Sequence, residues 1–393
     1  MKEVVILGGA RTAMAEYNGA FSRLTEIDLG AAAARGALEK TGVTPAEIQH
    51  VVFGNAMQAS GNALYGARHV GLKAGVPVEV PALTVNRICG SGIQSVVTAA
   101  QLIRLEEADT VLAGGMESMS QVPHVIRGLR TGLRLGEGKL EDALMVALMD
   151  GHCGFYMAST AENLAREMGI GREEQDRFAL RSQQAADAAF RAGKFRDEIV
   201  PVEVKGRKGP TPVDEDDHRR PDTTLEELAR LPTAFGKDGF VTAGNASGIV
   251  DGGAAVVVSS AEAASKSHRT PLGRIVAWDT VGVEPRIMGI GPAPAIRGLL
   301  ERAGLSLGDI DLFEINEAFA AQYLAVEKQL GLDRDRVNVN GGAIALGHPL
   351  GATGTRLILT LLLELRRRKA RYGIASACIG GGQGIAILLD AKV

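Results

Sequence analysis

The sequence predicts an α/β fold made of two similar halves packed together. Two observations carry this. First, β-prone runs that end in glycine alternate with helical patterns along most of the chain, as in layered α/β architectures. Second, one supersecondary plan is used twice. Leu38-Glu39-Lys40-Thr41-Gly42 with Ile48 parallels Leu300-Glu301-Arg302-Ala303-Gly304 with Ile310, and each leads into a short apolar strand. Val85-Asn86, a glycine-rich turn and a helix parallel Val339-Asn340, a glycine-rich turn and a helix. Residues 110–113 with Gly114-Gly115 parallel residues 374–378 with Gly380-Gly381-Gly382. Sites in such folds tend to lie between the halves, at the carboxyl ends of strands.

In chain order, residues 2–7 read as a strand closed by Gly8-Gly9. Asp28 can cap a helix that Gly42 stops. Residues 51–53 form a short buried strand, and residues 66–74 a helix ended by Gly75 and Pro77. A β-prone run, 80–85, enters the turn around Cys89, and a helical segment, 93–105, leaves it. The strand 110–113 follows, closed by its glycine pair. Between 121 and about 242 the character changes: helical patterns at 159–168 and 172–192 flank a polar, irregular stretch, 205–222. This region reads as an insertion on the core, of the kind that is often functional. A buried strand at 254–258 restores the layered plan. The second half then runs through the strand 311–315, the helix 353–366 and the strand 374–378.

Composition narrows the function class. The 393 residues suffice for two or three domains and a large core, and 46% hydrophobic with 23% charged residues is ordinary for a soluble globular protein. A net charge of −3 gives no pull toward nucleic acid or anionic membrane. Cys89, Cys153 and Cys378 are odd in number and widely spaced, which fits a reducing, cytoplasmic setting and no metal site. The N-terminus lacks signal-peptide character, and the apolar run 357–363 is too short to span a bilayer. Gly8-Gly9-Ala10 is not a dinucleotide fingerprint, and no phosphate-binding loop occurs.

The chemistry concentrates in glycine-rich turns. Cys89 lies where a strand runs into a helix, so unpaired backbone N–H groups surround it, and such a site lowers a cysteine pKa. On these residues alone a nucleophile and a small buried hydrophobe are both open. Asn316, just past a strand, suits holding a water or a carbonyl oxygen, although its surroundings alone favour a turn or cap asparagine. His348, among glycines and before Pro349, suits proton transfer. Cys378 ends the last repeated strand. Cys89 and Cys378 thus stand at equivalent ends of the two halves, one able to be the nucleophile and the other to shuttle a proton. Cys153 reads as structural. Met145, Met149 and Met157 could line a pocket, but helical core is the favoured reading.

Six stretches together resemble the thiolase family over essentially the full length: VNRICGSG at 85–92, GGMESMS at 114–120, TAGNASG at 242–248, NEAFA at 316–320, NGGAIALGHPLGATG at 340–354 and CIGGGQG at 378–384. The resemblance implies a five-layered αβαβα core, duplicated, with a loop domain inserted. Residues 1–120 plus 248–269 would form the N-terminal half, 121–247 the inserted domain and 270–393 the C-terminal half. It implies a homotetramer of tightly paired subunits, with residues 128–138 as the tetramerisation loop. Cys89 would carry the acyl group, and His348 would activate it. His348 and a water held by Asn316 would stabilise one oxyanion. Cys378 would move the α-proton, and the N–H groups of Cys89 and Gly380 would form the second oxyanion hole. Arg220, Thr223 and Ser247 match positions that contact coenzyme A. The substrates would be acetyl-CoA, acyl-CoA and CoA, with no prosthetic group. Tyr156-Met157-Ala158 stands where acetoacetyl-specific relatives commonly carry His-Met-Gly, so the chain looks closer to short-to-medium-chain 3-ketoacyl-CoA thiolases. The alternatives are a strictly acetoacetyl-CoA-forming biosynthetic thiolase, a decarboxylating ketoacyl synthase and a non-catalytic lipid- or CoA-binding relative.

Overall fold

The computed structural model describes residues 2–206, 209–234, 236 and 238–393. Numbering the core elements in chain order, β1 (Val4–Arg11), β2 (His50–Gly54), β3 (Ala82–Val85), β4 (Thr110–Glu117) and β5 (Val250–Ser260) form the first sheet, ordered β3-β2-β4-β5-β1. The second contains β6 (Gly273–Gly282), β7 (Leu312–Ile315), β8 (Tyr372–Ile379) and β9 (Gln383–Asp390), ordered β7-β8-β9-β6. The repeat is visible in the pairing. β2 runs parallel to both β3 and β4; β7 runs parallel to β8, and a parallel bridge from Phe313 to Val337 takes the place of β3. The two sheets join edge to edge where Val5 pairs with Arg274 and Ile6 with Gly273.

Eight helices matter for the site: α1 (Glu26–Thr41), α2 (Gly66–Lys73), α3 (Ser91–Arg104), α4 (Met157–Met168), α5 (Arg172–Arg191), α6 (Pro292–Ala303), α7 (Ala320–Leu330) and α8 (Leu350–Arg368). Because side chains alternate along a strand, each sheet has two packed faces. Val4 and Ile6 of β1 join α3 and α8, while Val5 and Leu7 join α1 and α2. Likewise Ile385 and Ile387 of β9 face α3 and α8, while Ala386 and Leu388 face α6 and α7. The result is five layers, with α3 and α8 buried between the sheets. α8 is buried around nearly its whole circumference from Leu350 to Leu365, and its polar Thr353, Arg356, Thr360 and Glu364 are buried with the apolar side chains. It meets α3 backbone to backbone: a Cβ on Gly92 would strike Gly354 and Thr355, and one on Gly354 would strike Gly92 and Ile93.

Several local expectations change. β1 continues through Gly8-Gly9 to Arg11, and β4 through Gly114-Gly115 to Glu117. These glycines do not turn the chain; a Cβ on Gly9 or Gly114 would strike the carbonyl of Ala255 or Ala254 on β5. The cap of α1 is Thr25, and Asp28 completes its capping box from the first turn. Part of the stretch expected to be irregular forms a hairpin, Val202–Gly206 with Gly209–Val213, because its Val and Thr residues alternate. From the inserted region, α4 and α5 pack on α7, with Phe178 stacked on Tyr323 at a centroid distance of 4.2 Å. Among the described residues no helix is long and apolar enough to cross a membrane.

Candidate active site

Cys89 sits in a single 3-10 turn, Ile88–Gly90, immediately before α3 rather than in its first turn. Ile88 takes a φ of +47°, in the left-handed region that a β-branched side chain rarely adopts. Hydrogen bonds hold this strained turn. The Ile88 N–H donates to Asn86 Oδ1 at 2.9 Å, and Ser91 Oγ accepts from the Arg87 N–H at 2.8 Å while donating to the Ile88 carbonyl at 2.7 Å. Arg87 reaches Gln383 Oε1 of the second half at 2.9 Å. Gly90 lets the turn press on that half, since a Cβ there would meet Ile379 and Ile385.

Burial pushes the Cys89 thiol up to about 11, against the pull of N–H donors from Gly380 and from Cys89 itself. The sequence-based expectation of a depressed pKa is therefore reversed: desolvation outweighs the donors. A thiolate at this position needs a base beside it.

His348 shares a cavity of about 280 Å³ with Cys89. Its backbone N–H donates to the Gly248 carbonyl at 2.9 Å, and Gly347 before it has a φ of +89° with no room for a side chain beside Val250. Its Nε2 is 3.2 Å from Asn316 Nδ2, and its Nδ1 is 2.6 Å from Thr353 Oγ1. Burial, helped by the charge of Arg356, pushes the imidazole down to about 3, so it stands neutral. Asn316 is held by its own N–H, which donates to the Ser376 carbonyl at 2.9 Å. Its Oδ1 is buried without a partner among the described residues, and so is available to a water or substrate.

Cys378 is fully buried among Met288, Ala318, Met157 and Phe319, and burial together with the neighbouring Cys89 raises its pKa. The two cysteines are not equivalents under the repeat. With Ile48 aligned on Ile310, Cys378 falls in the place of Met116 on β4, whereas Cys89 belongs to the turn before α3. They meet because α3 lies between the sheets and points its first turn at the end of β8. All three cysteines are free.

Ser247 lines the Cys89 cavity, and Arg220 and Thr223 line an adjoining cleft; Ala243 belongs to both. The predicted residues thus line two neighbouring clefts that share Ala243, with Thr223 Oγ1 donating to the Arg220 carbonyl at 2.8 Å. Among the described residues no cluster of His, Cys, Asp and Glu is arranged to hold a metal.

Comparison with known proteins matches residues 4–262 to "Thiolase, N-terminal domain" and residues 269–391 to "Thiolase, C-terminal domain". The chain belongs to the thiolase family. It is 53% identical over 391 residues to human "3-ketoacyl-CoA thiolase, mitochondrial", covering 99% of this chain and 98% of that one. It is 50% identical over 391 residues to the acetyl-CoA acetyltransferase of Pseudomonas aeruginosa, covering 99% of each. The crystal structure of human mitochondrial 3-ketoacyl-CoA thiolase in complex with CoA superimposes with a TM-score of 0.97 at 52% identity, covering 100% of this chain and 98% of that one. The five-layered core described above is the thiolase fold.

Sequence reasoning missed part of this thiolase's site. Met145 and Met157 line the cavity rather than a helical core, together with Met119 and Met288, and Met149 is exposed. The clue was a density of flexible, polarisable side chains suited to an adaptable apolar pocket. Thr353 and Glu117 lie inside the quoted motifs, yet nothing in their spacing singles them out.

Proposed function

We propose that the chain catalyses the reversible reaction of acetyl-CoA and acyl-CoA to 3-ketoacyl-CoA and CoA through an acyl-Cys89 intermediate. The observation that carries the reading is the meeting of Cys89 with a neutral His348 in one apolar cavity, with Cys378 packed behind. In thiolysis the Cys89 proton passes to His348 Nε2 and the sulfur adds to the C3 carbonyl of the substrate. The C2–C3 bond breaks, and its electron pair leaves as the acetyl-CoA enolate, which takes the Cys378 proton. CoA then returns a proton to Cys378, and its sulfur displaces Cys89, which recovers its proton from His348. Each step needs a buried, pre-aimed donor for the charge that forms. The N–H groups of Gly380 and Cys89 are suited to the tetrahedral adduct, and His348 with a water on Asn316 to the enolate.

Arg220, Thr223 and Ser247 would bind coenzyme A along the adjoining cleft and its mouth, a reading supported by the CoA named in the human relative's structure. No prosthetic group enters these steps. An apolar cavity containing Tyr156 and four methionines supports short-to-medium acyl chains, acetoacetyl included. We read the assembly as a homotetramer. Its support is the strand pair His124–Ile126 with Leu140–Asp142, whose connecting segment exposes Leu129, Leu133 and Leu135. The domain division at 120, 247 and 269 is likewise our reading, as is a cytoplasmic setting, supported by the three free thiols.

Labelled acetyl-CoA tests the chemistry. Label is expected on Cys89 of the native chain and absent from Cys89→Ala; label retained by that variant would refute the assignment. Cys378→Ala is expected to load acetyl but to lose α-proton exchange.

A further inference from the structure

We propose that Thr353 is a positioning residue that fixes the tautomer of His348, and with it the nitrogen that serves as base. The inference rests on the acyl-Cys89 reading above. Thr353 lies in the first turns of α8, fully buried, and His348 is on the loop that feeds that helix. Thr353 Oγ1 stands 2.6 Å from His348 Nδ1 and 3.0 Å from the Pro349 carbonyl oxygen.

A hydroxyl has one proton to give. The Pro349 carbonyl, which also accepts the Ala352 and Thr353 N–H groups at 2.9 and 3.0 Å, receives it. The lone pair left on Oγ1 then faces Nδ1, which is matched when Nδ1 carries the imidazole hydrogen, and Asn316 Nδ2 presents a donor to Nε2 on the far side of the ring. Nε2 is therefore the unprotonated nitrogen, on the side of the ring where Asn316 Nδ2 donates to it at 3.2 Å. The same relay supports the imidazolium once Nε2 has taken the Cys89 proton: Nδ1–H still has its acceptor, backed by the Pro349 carbonyl. In the opposite tautomer Nε2 would carry the hydrogen and could not act as base. No other hydrogen-bond partner is found for Nδ1 among the described residues.

The fold explains why the threonine sits here. α8 begins just after Pro349, so a hydroxyl one helical turn on folds back onto that residue's carbonyl. The same turn buries Oγ1 against the imidazole, where water cannot compete.

Nitrogen NMR of the full chain labelled at histidine reads the tautomer directly, alongside the rate of acetyl transfer to Cys89. His348 of the native chain is expected to carry its hydrogen on Nδ1. Thr353→Val keeps the shape and removes the acceptor; it is expected to move the hydrogen to Nε2 and slow acetylation at least ~100-fold. Thr353→Ser is expected to restore both the tautomer and a rate within about fivefold of native. A native His348 protonated on Nε2, or a Thr353→Val chain that keeps the Nδ1 hydrogen and acetylates normally, overturns the proposal. The native measurement stands even if Thr353→Val fails to fold. A native chain that never acetylates Cys89 would instead count against the proposed function.

Discussion

Glu117 Oε2 accepts the Gly351 N–H at 2.9 Å, which ties the end of β4 to the first turn of α8. The same carboxylate accepts the N–H groups of Ala56 and Met57 at 3.0 Å each and Asn55 Nδ2 at 2.7 Å. The side chain is fully buried, so these four donors stand in for water, although burial still pushes its carboxyl up to about 7. Glu117→Gln puts an NH2 among groups that can only donate. At least one buried donor loses its partner, at about 1–3 kcal/mol. A lowered urea midpoint is expected, with slower acetylation because the His348 loop leads into Gly351. An unchanged midpoint would show that the four contacts carry no net stability.

The close crossing of α3 and α8 sets the distance between the Cys89 turn and the His348 loop. Gly354→Ala would press a methyl against the backbone of Gly92 and Ile93, which cannot swing aside. Overpacking of this kind costs about 1–3 kcal/mol, and a displacement of about 1 Å at the reacting groups costs ~100-fold in rate. Gly61→Ala is the control, since nothing lies within 4 Å of a Cβ there and its φ is not positive. Denaturation and acetylation of the two variants should diverge; equal behaviour would place the helices further apart than described.

His348 makes stability depend on pH. Its pKa drops from 6.5 in the unfolded chain to about 3 in the folded one. Between those values the unfolded chain binds the proton and the folded chain does not, so stability is lost as pH falls from about 6.5 toward 3. The slope from this one group is about 1.4 kcal/mol per pH unit. Unfolding free energies measured across that window should fall less steeply for His348→Asn than for the native chain. Parallel slopes would mean that the imidazole is hydrated and titrates normally.

What could be read from the residues follows from what local chemistry encodes. The layered α/β plan and its repeat were legible because alternation, helical spacing and glycine stops are local signals, and the segments ending at Ile48 and Ile310 repeat the same pattern of Leu, Glu, Gly and Ile. The ends of β1 and β4 were not, because Gly9 and Gly114 mark close approach to β5, a contact with residues far along the chain. Cys89, His348 and Cys378 stood out for their residue types in glycine-rich settings, whereas Asn316 has no glycine beside it and came forward as a site residue only through the family resemblance. The raised thiol pKa of Cys89 did not, since desolvation depends on the sheets that close over the turn. Nor did the non-equivalence of Cys89 and Cys378, which rests on register.

The apolar wall around Cys89 yields a prediction about acyl length. Leu148, Met145 and Met288 line the cavity, and none of them supplies a hydrogen-bonding group to fix a substrate end. Selection among chains must then come from volume, which discriminates weakly, by about 1–3 kcal/mol per methylene. The native chain should therefore thiolyse acetoacetyl-CoA and longer 3-ketoacyl-CoA with kcat/KM flat or rising with length. Leu148→Trp narrows the cavity while Cys89, His348 and Cys378 themselves are unchanged. It should lower kcat/KM at least ~10-fold, about 1.4 kcal/mol, on the longer substrates while sparing acetoacetyl-CoA. Equal losses on all lengths would mean that Leu148 shapes the turn around Cys89 rather than the acyl path. Native activity confined to acetoacetyl-CoA would mean that the methionine-lined space does not receive the chain.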